Sequence, residues 1–322
     1  MTKINSTFSV SRSIVDEHTS GQRIDNFLCK HFKGVPKTRI YKALRKGEVR
    51  VNGGRISAEY KLQLDDEIRL PPLRVALEDK PALSPKLQQV QALNACILYE
   101  NDDFLVVNKP ANMAVHGGSG LEFGLIEALR ALRPTAKHLE LAHRLDKETS
   151  GCLLVAKKGS ALRILHALLR DKKITKTYIA LVKGKWPKRL QHVKAPLQRY
   201  ELQSGERRVH VSKEGKPSET RVQVMEYWAD ATLIKAQPLT GRTHQIRVHA
   251  LHAGHPLLGD EKYGDKEFNH CLRPHGLNRL FLHAARLQFN WPDSEQFFDF
   301  EAPLAADLQQ VLESDYFKVS IS

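Results

Sequence analysis

From residue 21 onward the apolar positions fall into short blocks whose period changes along the chain. In GQRIDNFLCKHF, Ile24, Phe27, Leu28 and Phe32 recur at helical spacing. VPKTRIYKALRKG predicts a second helix, opened at Pro36 or Lys37 and closed by Gly47. EVRVNGGRI alternates and then turns at Asn52-Gly53-Gly54, a hairpin signal, and YKLQLDDEIRL alternates again. The pattern then collapses in PPLRVALEDKPALSPKLQQ, where four prolines fall between 71 and 85.

Regular blocks resume near Ala95. CILYENDDFLVVNKP reads as two short strands around an Asn-Asp-Asp turn, ended by Pro110. GLIEALRALRP is a short amphipathic helix stopped at Pro134. LAHRLDKETSGCLLVAKK reads as strand, loop, strand. GSALRILHALLRDKKI is a helix with Leu162, Leu165 and Leu169 on one face, and TKTYIALVKGKW is a strand. TRVQVMEYWADATLIKAQPLTGRTHQIRVHALHAG holds a hairpin and then a basic helix. Strands outnumber helices and hairpin-like turns join many of them, which predicts an α+β protein. The expected organisation is a strand or tail over 1–20, a small domain over 21–74, a linker over 75–94 and a main domain over 95–322. The main domain is expected to have a large mixed, mostly antiparallel sheet with flanking helices and a central cleft.

Charge changes the picture. Fifty Lys and Arg stand against 36 Asp and Glu, a net +14 that favours a polyanionic partner, nucleic acid before an anionic membrane surface. Six of these cations, Lys37, Arg39, Lys42, Arg45, Lys46 and Arg50, crowd the second helix and its exit, with Glu48 the one acid among them. Ile40 and Leu44 can pack inward while Arg39, Lys42 and Lys46 share an outer face. That face is either ordinarily solvated or suited to phosphates. Cys29, Cys96, Cys152 and Cys271 form no CxxC pair, which suggests a reducing compartment. No secretory h-region and no membrane-length apolar run is visible, so the expected location is the cytoplasm. His244, His249, His252 and His255 come without HExxH spacing or neighbouring ligand carboxylates, so no metal is expected. Asp260, after a glycine, is expected to cap the next element.

The segment with the most chemistry is HRLDKETSG, followed by CLLVAKK. Read bare, Asp146 could be a turn or cap residue. His143 and Arg144 nearby would favour its ionised form, Gly151 permits unusual dihedrals, and a buried strand follows. HRLDKETSG resembles the H-R-L-D-x-x-T-S-G signature of the RluA-type pseudouridine synthases. LVVNKPANMAVH, KTYIALVKG, PLTGRTHQIRVHALHAGHPLLGDEKYG and LFLHAARLQF resemble that family's other motifs, in family order. RIDNFL and RIYKALRKGEVRVNGG resemble the S4 RNA-binding domain. The combination is most similar to the family members that act on large-subunit ribosomal RNA.

The resemblance implies an isomerase that converts specific uridines of 23S ribosomal RNA to pseudouridine after flipping the base, without cofactor or metal. It implies that Asp146 supplies the essential carboxylate, as a nucleophile at the sugar or as a base at C2′. Tyr178 would stack on the target base, although a core tyrosine on a strand looks the same in sequence. Arg247 would pair with Asp146, with Arg242 a second candidate for that role. Arg144 would fill the gap left by the flipped uridine. Lys37, Arg39, Lys42, Arg45 and Lys46 would face RNA phosphates, and a monomer is expected. Glu148 is not expected to act as a second acid. Two competing readings are an RNA-binding ribosome assembly factor with a vestigial site and a nucleosidase using Asp146.

Overall fold

The computed structural model describes residues 10–17, 19–32, 35–73, 88–117, 123–136, 138–292, 294 and 296–318. The chain divides into two compact units, Met1–Ala82 with Lys158–Ser160, and Leu83–Lys157 with Ala161–Ser322. The front of the expected linker, through residue 87, and residues 1–9 of the expected tail lie outside the described residues.

In the first unit, β1 (Ser11–Ile14) is followed by α1 (Ile24–His31), α2 (Lys37–Arg45), β2 (Arg50–Val51) and β3 (Glu67–Leu70). The strands form an antiparallel sheet in the order β1-β3-β2. The apolar positions that set the helical period, Ile24 and Leu28 in α1 and Ile40 and Leu44 in α2, are buried with Leu62 and Ile68 in one core. The Asn52-Gly53 turn forms with positive φ at both residues, 48° and 78°, and Val51 and Gly54 exchange backbone hydrogen bonds across it. The strand partner of β2 is β3, however, and not the residues directly after the turn. The Asn52 side chain explains this: it donates to Asp66 and accepts from Glu67 N–H, both at 2.8 Å, so it ties the turn to the start of β3.

The second unit opens with α3 (Gln88–Gln91) and a 3-10 turn, Ala92–Cys96. Val90 and Leu93 are buried in its core, so the back of the expected linker is folded chain. Then come β4 (Ile97–Glu100), β5 (Phe104–Lys109), α4 (Leu125–Leu132), β6 (Glu140–Leu141), β7 (Ser150–Ala156), α5 (Gly159–Arg170) and β8 (Thr175–Lys183). Next are β9 (His192–Lys194), β10 (Leu197–Glu201), β11 (Arg207–Val211), β12 (Glu219–Tyr227), β13 (Ala231–Pro238) and α6 (Gln245–His252). Last are α7 (Lys266–Leu272), β14 (Leu282–Asn290), β15 (Phe297–Glu301), α8 (Ala306–Leu312) and α9 (Asp315–Lys318).

Ten strands form one sheet in the order β4-β5-β7-β14-β8-β13-β12-β9, with β6 paired to β7 and β15 to β14. Every pairing is antiparallel except β7 with β14. That exception makes the sheet mixed, as the sequence predicts. β10 and β11 form a separate hairpin that the hydrophobic pattern does not reveal. On α5 the fully buried stripe is Ala161, Leu165 and Leu168, one step round from the expected face, with Leu162 and Leu169 packed at its margin.

All seven residues of β7 are buried, in the middle of the sheet. Gly151 sits there with φ of 107°, and a Cβ on it would stand 2.3 Å from the Ala284 carbonyl oxygen of β14. A side chain is therefore barred by both conformation and space. This fixes the end of the 142–149 loop against the sheet, and the loop carries Asp146.

Candidate active site

A cavity of ≈ 440 Å³ opens beside this loop, and Arg144, Asp146, Tyr178, Arg242 and Arg247 all line it. Seven segments converge there: the 143–149 loop, the end of α5, β8, β10, the end of β13 with the loop after it, the first turn of α6 and the start of β14. The basic residues Lys37, Arg39, Lys42, Arg45 and Lys46 lie in the first unit. On α2, Lys37, Lys42, Arg45 and Lys46 are exposed. Arg39 departs from the expectation: it is half-buried and donates to Glu48 at 2.8 Å, because Glu48 follows the helix closely enough to fold back on it.

Arg247 has the geometry expected of the aspartate's partner, but Asp146 is its secondary contact. Its side chain is 2% exposed, and its Nε and Nη2 form a bidentate pair with Asp260, both at 2.7 Å. The remaining Nη1 points to Asp146 Oδ2 at 3.4 Å and to Glu148 Oε2 at 3.8 Å. Burial works against the Arg247 charge; the hydrogen bonds and charge of Asp260 outweigh it and raise the pKa, with Asp146 and Glu148 adding to the effect. Asp260 also accepts the N–H groups of Lys262 and Tyr263 at 2.9 and 3.0 Å. It thus holds the turn that follows it and anchors the arginine, whereas the next element, α7, is capped by Asp265 and not by Asp260 as the sequence suggests. The Tyr263 ring lies 5.1 Å from the guanidinium carbon. Arg242 is exposed and donates to the Pro217 carbonyl at 3.3 Å, so Arg247 is the arginine that meets Asp146.

His244 approaches Asp146 Oδ2 as well, at 3.8 Å, while its Nδ1 shares a 2.8 Å hydrogen bond with the Tyr263 hydroxyl. Its φ of 52° holds the ring against the site at the entry to α6. Both basic groups meet the same carboxylate oxygen, Oδ2. Tyr178 is half-buried, and burial followed by the charge of Asp146 pushes its phenol upward, so it stays protonated at neutral pH.

Two bases, Lys109 buried and His143 half-buried, position the loop. Lys109 is fully buried and donates to the carbonyls of Pro110, Met113 and Lys147 at 2.8, 2.8 and 3.1 Å. It joins the Asn-Lys-Pro turn to the residue after Asp146. Burial pulls its pKa down to about 7, partly offset by Glu148 and Asp146. His143 accepts the Leu154 N–H at 3.2 Å, and burial pushes its pKa down to about 4. The first residue of HRLD is therefore a neutral brace between loop and strand. A signal for Lys109 exists in sequence: Leu105, Val107 and Lys109 alternate onto one face of a buried strand. Asp260 and Tyr263 gave none, because their partner lies on another element.

α6 is the helix that the sequence predicts after the hairpin, and its first six residues, Gln245 through Ala250, are packed inside. His249 is enclosed by Ser218, Thr220 and the Ala195 carbonyl, and His255 bonds the Lys183 carbonyl. Among the described residues no three His, Cys, Asp or Glu side chains gather in a metal-holding group.

Residues 103–252 match the RNA pseudouridylate synthase family and residues 22–68 match the S4 domain. The chain is similar to ribosomal large subunit pseudouridine synthase C of Escherichia coli K12, 57% identical over 309 residues, covering 95% of this chain and 97% of that one. The enzyme of that name from Yersinia pestis is 58% identical over 293 residues, covering 91% and 92%. Among solved structures, human RNA pseudouridylate synthase domain containing 4 superposes with a TM-score of 0.57 at 26% identity, covering 70% of this chain and 94% of that chain. Human domain containing 1 gives a TM-score of 0.53 at 29% identity, covering 64% and 82%.

Proposed function

Because this chain belongs to the RNA pseudouridylate synthase family and carries an S4 domain, we propose that it isomerises specific uridines of large-subunit ribosomal RNA, the substrate that its bacterial relatives' names give. The observation that carries the reading is Asp146 at the cavity wall, with Arg247 and His244 on one oxygen and Tyr178 lining the same cavity.

The reaction breaks the N1–C1′ bond, turns the base, joins C5 to C1′ and moves the C5 proton to solvent while N1 gains one. No electrons are exchanged with an outside carrier and no atom is lost. The Asp146 carboxylate acts first, by adding to C1′ or by taking the C2′ proton. Either route uses the carboxylate that Arg247 meets at 3.4 Å. Tyr178 lies under the turned base, with its hydroxyl protonated. A base in a duplex is beyond reach, so the uridine leaves its stack to enter. Arg144, exposed at the rim, takes its place with a planar guanidinium. The exposed cations of α2 hold phosphates elsewhere on the RNA.

The reading puts the protein in the cytoplasm, as a monomer. The four cysteines are free, and no described helix is long and apolar enough to cross a membrane. The test is to map pseudouridines, as reverse-transcriptase stops after carbodiimide treatment, in ribosomal RNA from cells with and without the gene. Loss of one or more large-subunit stops is expected. An unchanged map would overturn the assignment.

A further inference from the structure

A second depression, of ≈ 510 Å³, adjoins the catalytic cavity. The two share Arg170, Lys176, Arg242 and the backbone around Gly241, so a chain leaving one enters the other. Its charged lining residues are Arg170, Lys172, Lys176, Arg221 and Arg242, and no acid lines it. The nearest acid found on these cations is Asp171, 3.3 Å from the exposed Arg170. Lys176 sits at the junction on β8 and has no acid partner among the described residues, although burial lowers its pKa. An ammonium kept partly dry and unpaired is costly unless an anion completes it. Gly241 has nothing within 4 Å of where a Cβ would stand, so that stretch of backbone is open to a ligand.

From these positions we infer that the depression is a phosphodiester trough, which takes the RNA backbone next to the flipped uridine on one side, with Lys176 at its mouth and Lys172 and Arg221 farther along. This rests on the proposed isomerase reading and extends it: recognition is not left to the S4 domain. Steering by several cations and no acid favours a polyanion of any sequence, so the trough sets grip and strand direction and not base identity.

The test uses the full chain carrying Lys172→Asn and Arg221→Gln. Lys172 has φ of 58°, which asparagine accepts. Both residues are exposed and line the trough but not the catalytic cavity. The substrate is a large-subunit ribosomal RNA fragment with one modified uridine, made long and also trimmed close to that uridine on its 5′ or its 3′ side. With wild type, restoring either side should lower KM. With the double variant, the benefit of restoring one side should shrink at least fivefold. The log–log salt slope of binding should fall by about 1.4, at roughly 0.7 for each single-strand phosphate contact. Arg221→Lys should retain most of the wild-type slope. Equal benefit from both sides and an unchanged salt slope would overturn the trough. If wild type makes no pseudouridine in any fragment, the isomerase reading fails instead. The trough is then judged by anisotropy binding of the same fragments, read by the same two criteria.

Discussion

Two helices of this protein look alike in composition and behave oppositely. α2 and α6 are both short and carry several basic side chains, Lys and Arg on α2 and one Arg with two His on α6. On α2, Ile40, Ala43 and Leu44 form one buried stripe and leave Lys37, Lys42, Arg45 and Lys46 in water. On α6, Ile246, Val248 and Ala250 alternate with the polar residues, so the core surrounds the whole turn and Gln245, Arg247 and His249 are carried inside. The first arrangement offers charge to a partner, at little cost to the fold. The second commits the fold to matching every buried polar group, and Asp260 does so for Arg247. The spacing of apolar residues between the basic side chains separates an exposed basic face from a buried brace.

The largest effect should come from breaking the brace. Asp260→Ala leaves a guanidinium buried without its main counter-charge, which should cost about 3–5 kcal/mol in urea unfolding. Arg247→Ala should reduce turnover on the order of 10²–10³-fold, as for loss of an oriented donor at a reacting charge. Arg242→Ala should act mainly on KM, since Arg242 faces the Pro217 carbonyl and not Asp146. A reversed order of the two arginines in single-turnover rates would contradict the geometry.

A smaller effect should appear with acid. The native His143 titrates at about 4, below its ordinary 6.5. Between those values the unfolded chain binds a proton that the native one does not, so this group's contribution falls as pH drops from 6.5 to 4 and levels off below 4. The stability of wild type minus that of His143→Gln should therefore decline across that window in denaturant melts. A flat difference would mean that the imidazole is not held neutral.

The smallest change in stability should come from α2. Lys42→Gln with Lys46→Gln should move unfolding free energy by no more than about 0.5 kcal/mol for each site. RNA binding should lose roughly 0.7–0.9 of log–log salt slope for each phosphate contact removed. An unchanged slope would take these lysines out of the RNA interface.

Much of this was legible in the chain. Period and turn residues predict α1, α2, α4, α5 and the β4–β5 and β12–β13 hairpins, and motif order leads to Asp146, Tyr178 and Arg247. Local pattern fails where a partner is far away in sequence. β2 looks like half of a tight hairpin, yet Asn52 delivers it to β3. Asp260 reads as a cap because its backbone contacts are two and three residues off, whereas its arginine is thirteen away on α6. The β10–β11 hairpin is hidden because only Leu197 and Val209 of its residues are buried, too few to mark a period. His249 reads as part of a histidine cluster, and packing makes it a lone buried donor and acceptor among Ser218, Thr220 and a carbonyl.

The central claim is that one carboxylate, Asp146, met by Arg247 and lining the cavity, performs the isomerisation. Asp146→Asn keeps the shape and removes both nucleophile and base. The measurement is pseudouridine formed per enzyme under single-turnover conditions on a ribosomal RNA fragment, alongside RNA binding by the same preparation. The account predicts binding close to wild type with no pseudouridine above background. Turnover within tenfold of wild type would contradict it.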